Sequence, residues 1–213
     1  MNAMTAMRNQ KLAEAVRGRF PISERVFRAI AATNREAYVP NGFKQHAYKL
    51  DALPIGEAQW ISSPLTVAKM TEYLQCDGAD RVLEIGCGSG YQAAVLSHLF
   101  RGVFTIERIE SLMVEAKKRF REEGIMNVHT RTDDGQLGWS AYAPFDRILF
   151  SASAVEIPKA IIDQLAPRGV IVAPMQRPEG QMIVRYVKIG DQLMEDELEI
   201  CEFVPVRNGV QKS

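Results

Sequence analysis

The chain has 213 residues, with 26 Lys and Arg against 26 Asp and Glu and a hydrophobic content of 46%. This balanced charge disfavours a binder of nucleic acids or anionic membranes, because such proteins usually carry a basic excess. The apolar runs are shorter than the ~20 residues of a membrane span, and no charged-then-apolar leader opens the chain. Three isolated cysteines, without a C-x-x-C pair, disfavour a disulfide framework or a zinc site. We expect a monomeric cytoplasmic protein without metal, membrane or nucleic-acid partners.

Two short amphipathic helices are predicted at the start of the chain. Leu12, Val16 and Phe20 recur at every fourth residue, and a second apolar stripe over residues 26–31 follows Ser23, a residue type that caps helices. Residues 34–61 form a polar, irregular stretch punctuated by prolines and glycines. This stretch also contains enough large apolar side chains to pack against the rest of the protein, and connections of such length are usually functional or disordered.

A third helix is predicted from Pro64, which suits the first helical position, with Ser63 as its cap. Ser62 then lies just ahead of a helix N-terminus, where free N–H groups and the helix dipole favour an anion. Ser62 is therefore a candidate to donate a hydrogen bond to an anionic substrate such as a carboxylate. The alternative is that both serines serve only the start of the helix.

From residue 81 onward, apolar runs typical of buried strands alternate with helical stripes. Strands are predicted at 81–85, 103–106, 126–130, 145–150 and 170–173, and helices at 91–100, 109–120 and 158–165. Gly102 and Gly124 are interpreted as the ends of the first two helices. Residues 182–189 and 198–204 resemble an antiparallel hairpin around Gly190 and Asp191. The pattern predicts an α/β fold with a doubly wound, mostly parallel sheet.

A glycine-rich loop at 84–90, with the sequence EIGCGSG, follows the first of these strands, where open α/β sheets bind ligands. Its spacing differs from the dinucleotide fingerprint G-x-G-x-x-G, because Gly90 comes one residue early and the bulky Tyr91 follows. The chain has no G-x-x-x-x-G-K-[ST] motif either. G-x-G-x-G after an acidic residue is instead the pattern of S-adenosylmethionine-dependent methyltransferases. The candidate cofactor-binding residues of the loop are Glu84, Gly86, Cys87, Gly88, Ser89 and Gly90.

Two further acidic residues come at the ends of the next two strands. Glu107 follows about twenty residues after the loop begins, where a carboxylate can accept hydrogen bonds from ribose hydroxyls. Asp134 and Gly135 follow the third strand, where the carboxylate could accept from an adenine amino group while the Gly135 N–H donates to the ring. Each feature alone is more often a plain turn or a helix cap. Their coincidence at three successive strand ends favours S-adenosylmethionine as the cofactor.

The block at 53–64, LPIGEAQWISSP, resembles the protein-L-isoaspartate (D-aspartate) O-methyltransferase family, together with the glycine loop and four later motifs. Those motifs are Asp134-Gly135, Pro144-Phe145-Asp146, Ile157-Pro158 and Phe203-Val204-Pro205. The resemblance runs from about residue 10 to 207. It implies a class I, Rossmann-like methyltransferase fold with an N-terminal helical extension, formed as a single domain over 1–213. In that arrangement 8–75 provide helices and a segment that covers the substrate, and 80–213 provide the cofactor-binding core.

The resemblance also implies an activity: transfer of a methyl group from S-adenosylmethionine to the α-carboxylate of L-isoaspartyl residues in damaged proteins and peptides. The ester then collapses to a succinimide, whose hydrolysis partly restores aspartate. By this resemblance Ser62 matches the active-site serine, and Glu107 matches the ribose acid. Gly86, Gly88 and Gly90 match the family's cofactor loop, and Asp134 with Gly135 its adenine contact. Three residues depart from the family pattern: Trp60 for Thr, Ala58 for Gly and Asp133 for Gly.

This chemistry requires few catalytic groups. A carboxylate has an ordinary pKa near 4, so it is already a nucleophile at neutral pH, and what remains is alignment and exclusion of water. The three histidines show no Ser-His-Asp arrangement, which agrees with this view. Two alternatives remain open: a methyltransferase for another acceptor, such as a small molecule or RNA, and a non-catalytic module that binds the cofactor or a partner protein.

Overall fold

Two helices open the fold, as the sequence predicts. In the computed structural model, which describes residues 2–212, α1 spans Ala3–Arg17 and α2 spans Glu24–Ala32. Ser23 caps α2, because its hydroxyl accepts a hydrogen bond from the Val26 N–H at 3.3 Å. Phe20 lies beyond the end of α1, and its ring packs edge-on against Tyr73.

The stretch 34–61 contains more regular structure than its sequence indicates. Two 3-10 helices, Arg35–Tyr38 and Asn41–His46, are followed by a hairpin of strands β1 (Leu53–Gly56) and β2 (Gln59–Ile61). The two residues between these strands have positive φ, as hairpin turns of two residues require, yet they are Glu57 and Ala58 rather than Asn or Gly. The pattern therefore lacks the usual hairpin signal. Helix α3 (Pro64–Tyr73) follows, with Ser63 as its cap as predicted.

Seven strands form the main sheet, in the order β5-β4-β3-β6-β7-β8-β9. They are β3 (Arg81–Ile85), β4 (Gly102–Glu107), β5 (Val128–Thr132), β6 (Phe145–Phe150), β7 (Leu165–Arg177), β8 (Gly180–Ile189) and β9 (Gln192–Cys201). The first five in spatial order are parallel, and β8 and β9 run antiparallel to their neighbours. The prediction of an α/β fold with a doubly wound, mostly parallel sheet is confirmed.

Of the two helix ends that were predicted at glycines in the sheet region, one is wrong and the other is confirmed. Helix α4 spans Tyr91–Ser97 and so ends three residues earlier than predicted. The prediction that Gly102 caps it is wrong, because Gly102 begins β4 and its N–H donates to the carbonyl of Asp80 at 3.1 Å. Gly124, with φ of +69°, does lie at the end of α5 (Glu110–Glu122), as predicted.

Three strand boundaries also differ from prediction. β5 begins at Val128 rather than at residue 126, and Met126 is exposed. Leu165 begins β7 instead of ending the preceding helix, so α6 spans only Lys159–Asp163. β9 begins six residues early, because its acidic first half has no alternating pattern to reveal it. Ion pairs hold these acids in place: Arg177 with Glu197 at 2.7 Å and Arg185 with Asp196 at 2.6 Å.

Alternate side chains of the sheet enter two hydrophobic clusters on its opposite faces. Val82 and Val103 belong to one cluster, and Leu83 and Phe104 belong to the other. The first cluster also takes side chains from α1 to α5, so the N-terminal helices share a core with the sheet. Within the described residues, no helix has the length and apolar character needed to cross a bilayer.

Candidate active site

The glycine loop lies at the carboxyl end of β3, beside the end of β4. Gly86, Gly88 and Gly90 all have positive φ (+94°, +53° and +90°), a backbone conformation that glycine adopts without steric cost. The Gly86 N–H donates to the carbonyl of Ile106 at 2.9 Å, which fixes the start of the loop to β4. A Cβ on Gly90 would stand 2.8 Å from the Phe120 ring, so this position requires glycine for close packing against α5.

Glu107, at the end of β4, is buried and shapes the loop with its carboxylate. One oxygen accepts the Gly88 N–H at 2.8 Å, and the other accepts the Ile109 N–H at 2.9 Å. An ionised carboxylate offers about four lone-pair sites, so two remain for further donors. Glu107 can therefore hold the loop and, at the same time, accept hydrogen bonds from hydroxyl groups of a ligand.

Glu84 is the acidic residue that opens the loop, and its side chain is fully buried. Its carboxyl accepts hydrogen bonds from two hydroxyls, Thr105 at 2.5 Å and Ser151 at 3.2 Å. Burial raises the pKa of Glu84 to about 8, because these hydroxyls only partly replace the lost water. Burial also raises the pKa of the neighbouring Cys87 thiol well above its usual range, so that thiol is a weak nucleophile at neutral pH.

Ser89 lines the loop just before α4. Its hydroxyl accepts the Tyr91 N–H at 3.2 Å, and its carbonyl accepts from Arg119 at 3.2 Å. The first contact satisfies a free donor of the helix N-terminus, and the second ties the loop to α5. The position of Ser89 in the loop is therefore fixed from both sides.

A cavity of about 980 Å³, part of it open to solvent, lies against this loop. Eight of the predicted site residues line the cavity. They are Ser62, Glu84, Gly86, Cys87, Gly88, Ser89, Glu107 and Gly135. The other two, Gly90 and Asp134, are not among the lining residues.

Asp134 and Gly135 follow β5 and have different surroundings. The Asp134 carboxylate accepts the Gln136 N–H at 3.0 Å and the Gly209 N–H at 2.8 Å, so it fastens the C-terminal segment. A Cβ on Gly135 would stand 2.5 Å from Cγ2 of Ile85, so only glycine fits there without a shift. Gly135 therefore packs closely against Ile85 in the cavity wall, just after β5.

The two serines before α3 have separate roles. The Ser63 hydroxyl accepts the Thr66 N–H at 3.0 Å and so caps the helix. None of the hydrogen bonds within the described residues engages the half-buried Ser62 hydroxyl. This difference argues against the alternative that both serines serve only the start of the helix.

Arg35 holds the backbone of Ser62 and was not identified from the sequence. Its guanidinium is fully buried and donates to the carbonyls of Ser62 at 2.9 Å and Ala47 at 3.0 Å. It also stacks over the Tyr91 ring, with 4.5 Å between its Cζ and the ring centroid. Burial lowers the pKa of Arg35 from its ordinary value. A single arginine in an irregular stretch gives no sequence signal for such a role.

A second cavity of about 950 Å³, part of it open to solvent, adjoins the first. The two share several lining residues: Trp60, Ser62, Thr66, Ser151, Phe203 and Val204. Ser62 is therefore placed where the loop cavity meets this second space. The residues that line only the second cavity are Ala52, Ser63 and Glu202.

The segment after β9 is a part of the site that periodicity and spacing did not reveal. Residues 203–207 line the first cavity. The segment is held by paired backbone hydrogen bonds at 2.8 Å, from Ser153 N–H to the Val204 carbonyl and from Val206 N–H to the Ser153 carbonyl. The motif at 203–205 was noted only through the family resemblance.

The three histidines lie away from these cavities. None of the three histidines is among the lining residues of either cavity. His129 stacks on Phe104, and burial lowers the pKa of His98 at the end of α4. Across residues 2–212, no group of three or more His, Cys, Asp and Glu side chains could hold a metal ion.

A comparison with known protein families assigns the chain to a family. The family model described as Protein-L-isoaspartate(D-aspartate) O-methyltransferase (PCMT) matches residues 7–211. The chain belongs to this family. A PCMT relative from Helicobacter pylori strain G27, named protein-L-isoaspartate O-methyltransferase, is 53% identical over 209 residues, which cover 98% of this chain and 100% of the relative. A relative of the same name from Klebsiella pneumoniae strain 342 is 43% identical over 206 residues, which cover 97% of this chain and 99% of the relative.

Solved structures agree with the PCMT fold. A Plasmodium falciparum structure described as a PCMT in complex with S-adenosyl-L-homocysteine superimposes with a TM-score of 0.83 at 20% identity. The match covers 93% of this chain and 98% of that one. At this level of identity the likeness concerns the fold. The predicted family and the predicted class I methyltransferase fold are confirmed.

Proposed function

We propose that the protein transfers a methyl group from S-adenosylmethionine to the α-carboxylate of L-isoaspartyl residues in damaged proteins and so starts repair through a succinimide. One observation carries this proposal. Ser62, whose hydroxyl is not engaged by the described residues, stands where the glycine-loop cavity meets a second cavity. Relatives of the same family, at 43–53% identity over nearly the whole chain, carry the name of this activity.

The residues around the first cavity fit S-adenosylmethionine. The backbone of the loop is exposed to the cavity at Gly86 and Gly88, which line it and carry no side chain. We assign the remaining lone pairs of Glu107 to the ribose hydroxyls and the cavity wall at Gly135 to the adenine ring. The predicted adenine contact of Asp134 requires that its carboxylate accept from the ligand in addition to the two N–H groups that it now binds.

When bound, this cofactor supplies an electrophilic methyl group on a sulfonium sulfur. The residues of the chain then have two tasks, alignment of the substrate carboxylate and exclusion of water. No general base is needed, because the carboxylate is ionised at neutral pH. Ser62 donates a hydrogen bond to one carboxylate oxygen and leaves the other free to attack. The stretch 34–61 and residues 203–207 form the cover over the reacting groups.

The direct test is methylation of matched isoaspartyl and aspartyl peptides with labelled cofactor. Only the isoaspartyl peptide is expected to take up label, and the product should release methanol in base, as carboxyl esters do. Label on another acceptor without methanol would favour a different methyltransferase. Cofactor binding without turnover on any isoaspartyl peptide would favour a non-catalytic module.

The division of roles has its own test. Ser62→Ala should keep the affinity for S-adenosylhomocysteine and lose most turnover. Ser63→Ala is the matched control: it removes the helix cap, which costs about 1 kcal/mol of stability, but it leaves the Ser62 hydroxyl in place. Equal losses of cofactor affinity and turnover in Ser62→Ala would contradict the assignment.

We further infer that residues 1–213 act as one methyltransferase unit, in which 8–75 cover the substrate and 80–213 bind the cofactor. The hydrophobic cluster that α1 to α5 share with the sheet supports a single unit. We also propose a monomer in the cytoplasm. The three cysteines are free thiols, as a reducing compartment favours.

A further inference from the structure

Trp60 lies at the boundary between the two cavities and is the large exposed aromatic residue beside Ser62. Its side chain is 53% exposed, although its strand neighbour Ile61 is buried. It belongs to the lining of both cavities. An indole ring left half in water at a cavity mouth is an apolar surface that a ligand can cover.

The hairpin that carries Trp60 is fixed on several sides. Trp60 pairs with Pro54 across the two strands, and the strand ends Leu53 and Ile61 are buried. At the turn, the Glu57 carboxylate accepts hydrogen bonds at 3.1 Å from the side chains of Ser111 and Gln211. The indole is therefore presented on a fixed support, so a contact with it loses little conformational entropy on binding.

The second cavity has the chemistry of a site for polypeptide. Trp60, Phe203 and Ala52 give it apolar walls, and the hydroxyl oxygens of Thr66 and Ser151 can accept hydrogen bonds from peptide N–H groups. Because this cavity is continuous with the reaction site through Ser62, a residue next to an isoaspartyl residue at that site can enter it.

We propose that Trp60 is a specificity-determining residue that binds the side chain of a residue next to the isoaspartyl residue and favours aromatic and large aliphatic neighbours. This inference rests on the proposed function. The occupant of the second cavity is then the substrate polypeptide itself. The preference arises because contact with the half-exposed indole removes apolar surface of both partners from water only when the neighbouring side chain is also apolar.

The experiment compares isoaspartyl peptides that differ only in the flanking residues, Phe or Leu against Ser, on both sides. The wild type is expected to show about 10-fold higher kcat/KM for the apolar peptides, the usual scale for covering part of an aromatic ring. Trp60→Thr should lose this difference, because the KM of the apolar peptides rises toward that of the Ser peptides. Met194→Thr is the matched control, because Met194 is 54% exposed on strand β9 and lines neither cavity.

A fluorescence titration provides a second readout that does not depend on the folding of Trp60→Thr. The chain has two tryptophans, so Trp139→Phe leaves Trp60 as the sole one. With S-adenosylhomocysteine present, the Phe-flanked isoaspartyl peptide should shift the emission of Trp60 in a saturable way. An unchanged emission while this peptide is methylated would overturn the inference, and so would an equal loss for all peptides in Trp60→Thr. Absence of methylation of every isoaspartyl peptide would instead refute the proposed function.

Discussion

Replacement of Glu84 by Gln is expected to change how the stability of the cofactor-free protein depends on pH. The Glu84 carboxyl is fully buried, its partners are hydroxyls, and its pKa is raised from 4.5 to about 8. The folded protein therefore keeps a proton that the unfolded chain releases. Between these two pKa values the unfolded state is favoured progressively as the pH rises, so Glu84 lowers the stability of the wild type across this window.

The size of the effect follows from the shift. Each pH unit well inside the window changes the free energy of unfolding by about 1.36 kcal/mol, and the slope falls as pH 8 is approached, so about 2 kcal/mol is lost between pH 6 and pH 8. Above the folded pKa the loss levels off. Gln has a similar shape and carries no titratable proton, so Glu84→Gln should not show this loss. Relative to the wild type, the variant should gain about 3 kcal/mol when the pH is raised from about 6 to about 9.

The assay is urea unfolding of both proteins without cofactor at these two pH values. The comparison of slopes removes any constant difference that arises from the new amide group near Thr105 and Ser151. Glu122→Gln is the matched control, because it makes the same substitution at an exposed position on α5. If Glu84→Gln and wild type differ by the same free energy at both pH values, the buried-proton explanation is wrong.

Two further substitutions test how the site is held together. Arg35→Ala leaves the buried carbonyls of Ser62 and Ala47 without their donor. The free energy of unfolding, measured with urea, should therefore fall by about 3–5 kcal/mol. A loss below about 1 kcal/mol would contradict this role. Gly135→Ala places a Cβ 2.5 Å from Ile85 and should weaken S-adenosylhomocysteine binding about 10-fold or more by calorimetry. Gly42→Ala is its control, since a Cβ there meets nothing within 4 Å, and equal affinities of the two variants would argue against the assigned wall.

The parallel core could be predicted because each buried strand is a short apolar run bounded by turn residues. Local capping chemistry, as at Ser23 and Ser63, is likewise contained in a few adjacent residues. The β1–β2 hairpin could not be predicted, because Glu57 and Ala58 adopt turn conformations that their own propensities do not favour. Contacts of Glu57 with residues far along the chain stabilise that turn. The same holds for Gly102, whose place in the sheet overrides its preference for ending a helix.

The residues of the site also fall into those that could be predicted from the sequence and those that could not. Glu107 and the glycine loop could be predicted, because parallel strands that end at one edge bring their following residues together. Arg35 and Ser151 could not, since each reaches the site from a segment whose approach depends on the packing of the whole domain. Asp134 shows a further limit of spacing arguments: its place after β5 is as predicted, but its carboxylate binds the C-terminal segment at Gly209.

This division separates the binding of the cofactor from the choice of substrate. The cofactor cavity depends on strand ends in the common core, whereas the second cavity depends on the hairpin and on residues 202–204. Because Arg35 fixes the Ser62 backbone independently of the Trp60 side chain, the residue at position 60 can change without displacing the serine. A large aromatic side chain at this position can therefore alter which damaged peptides are accepted while the methyl-transfer geometry is preserved.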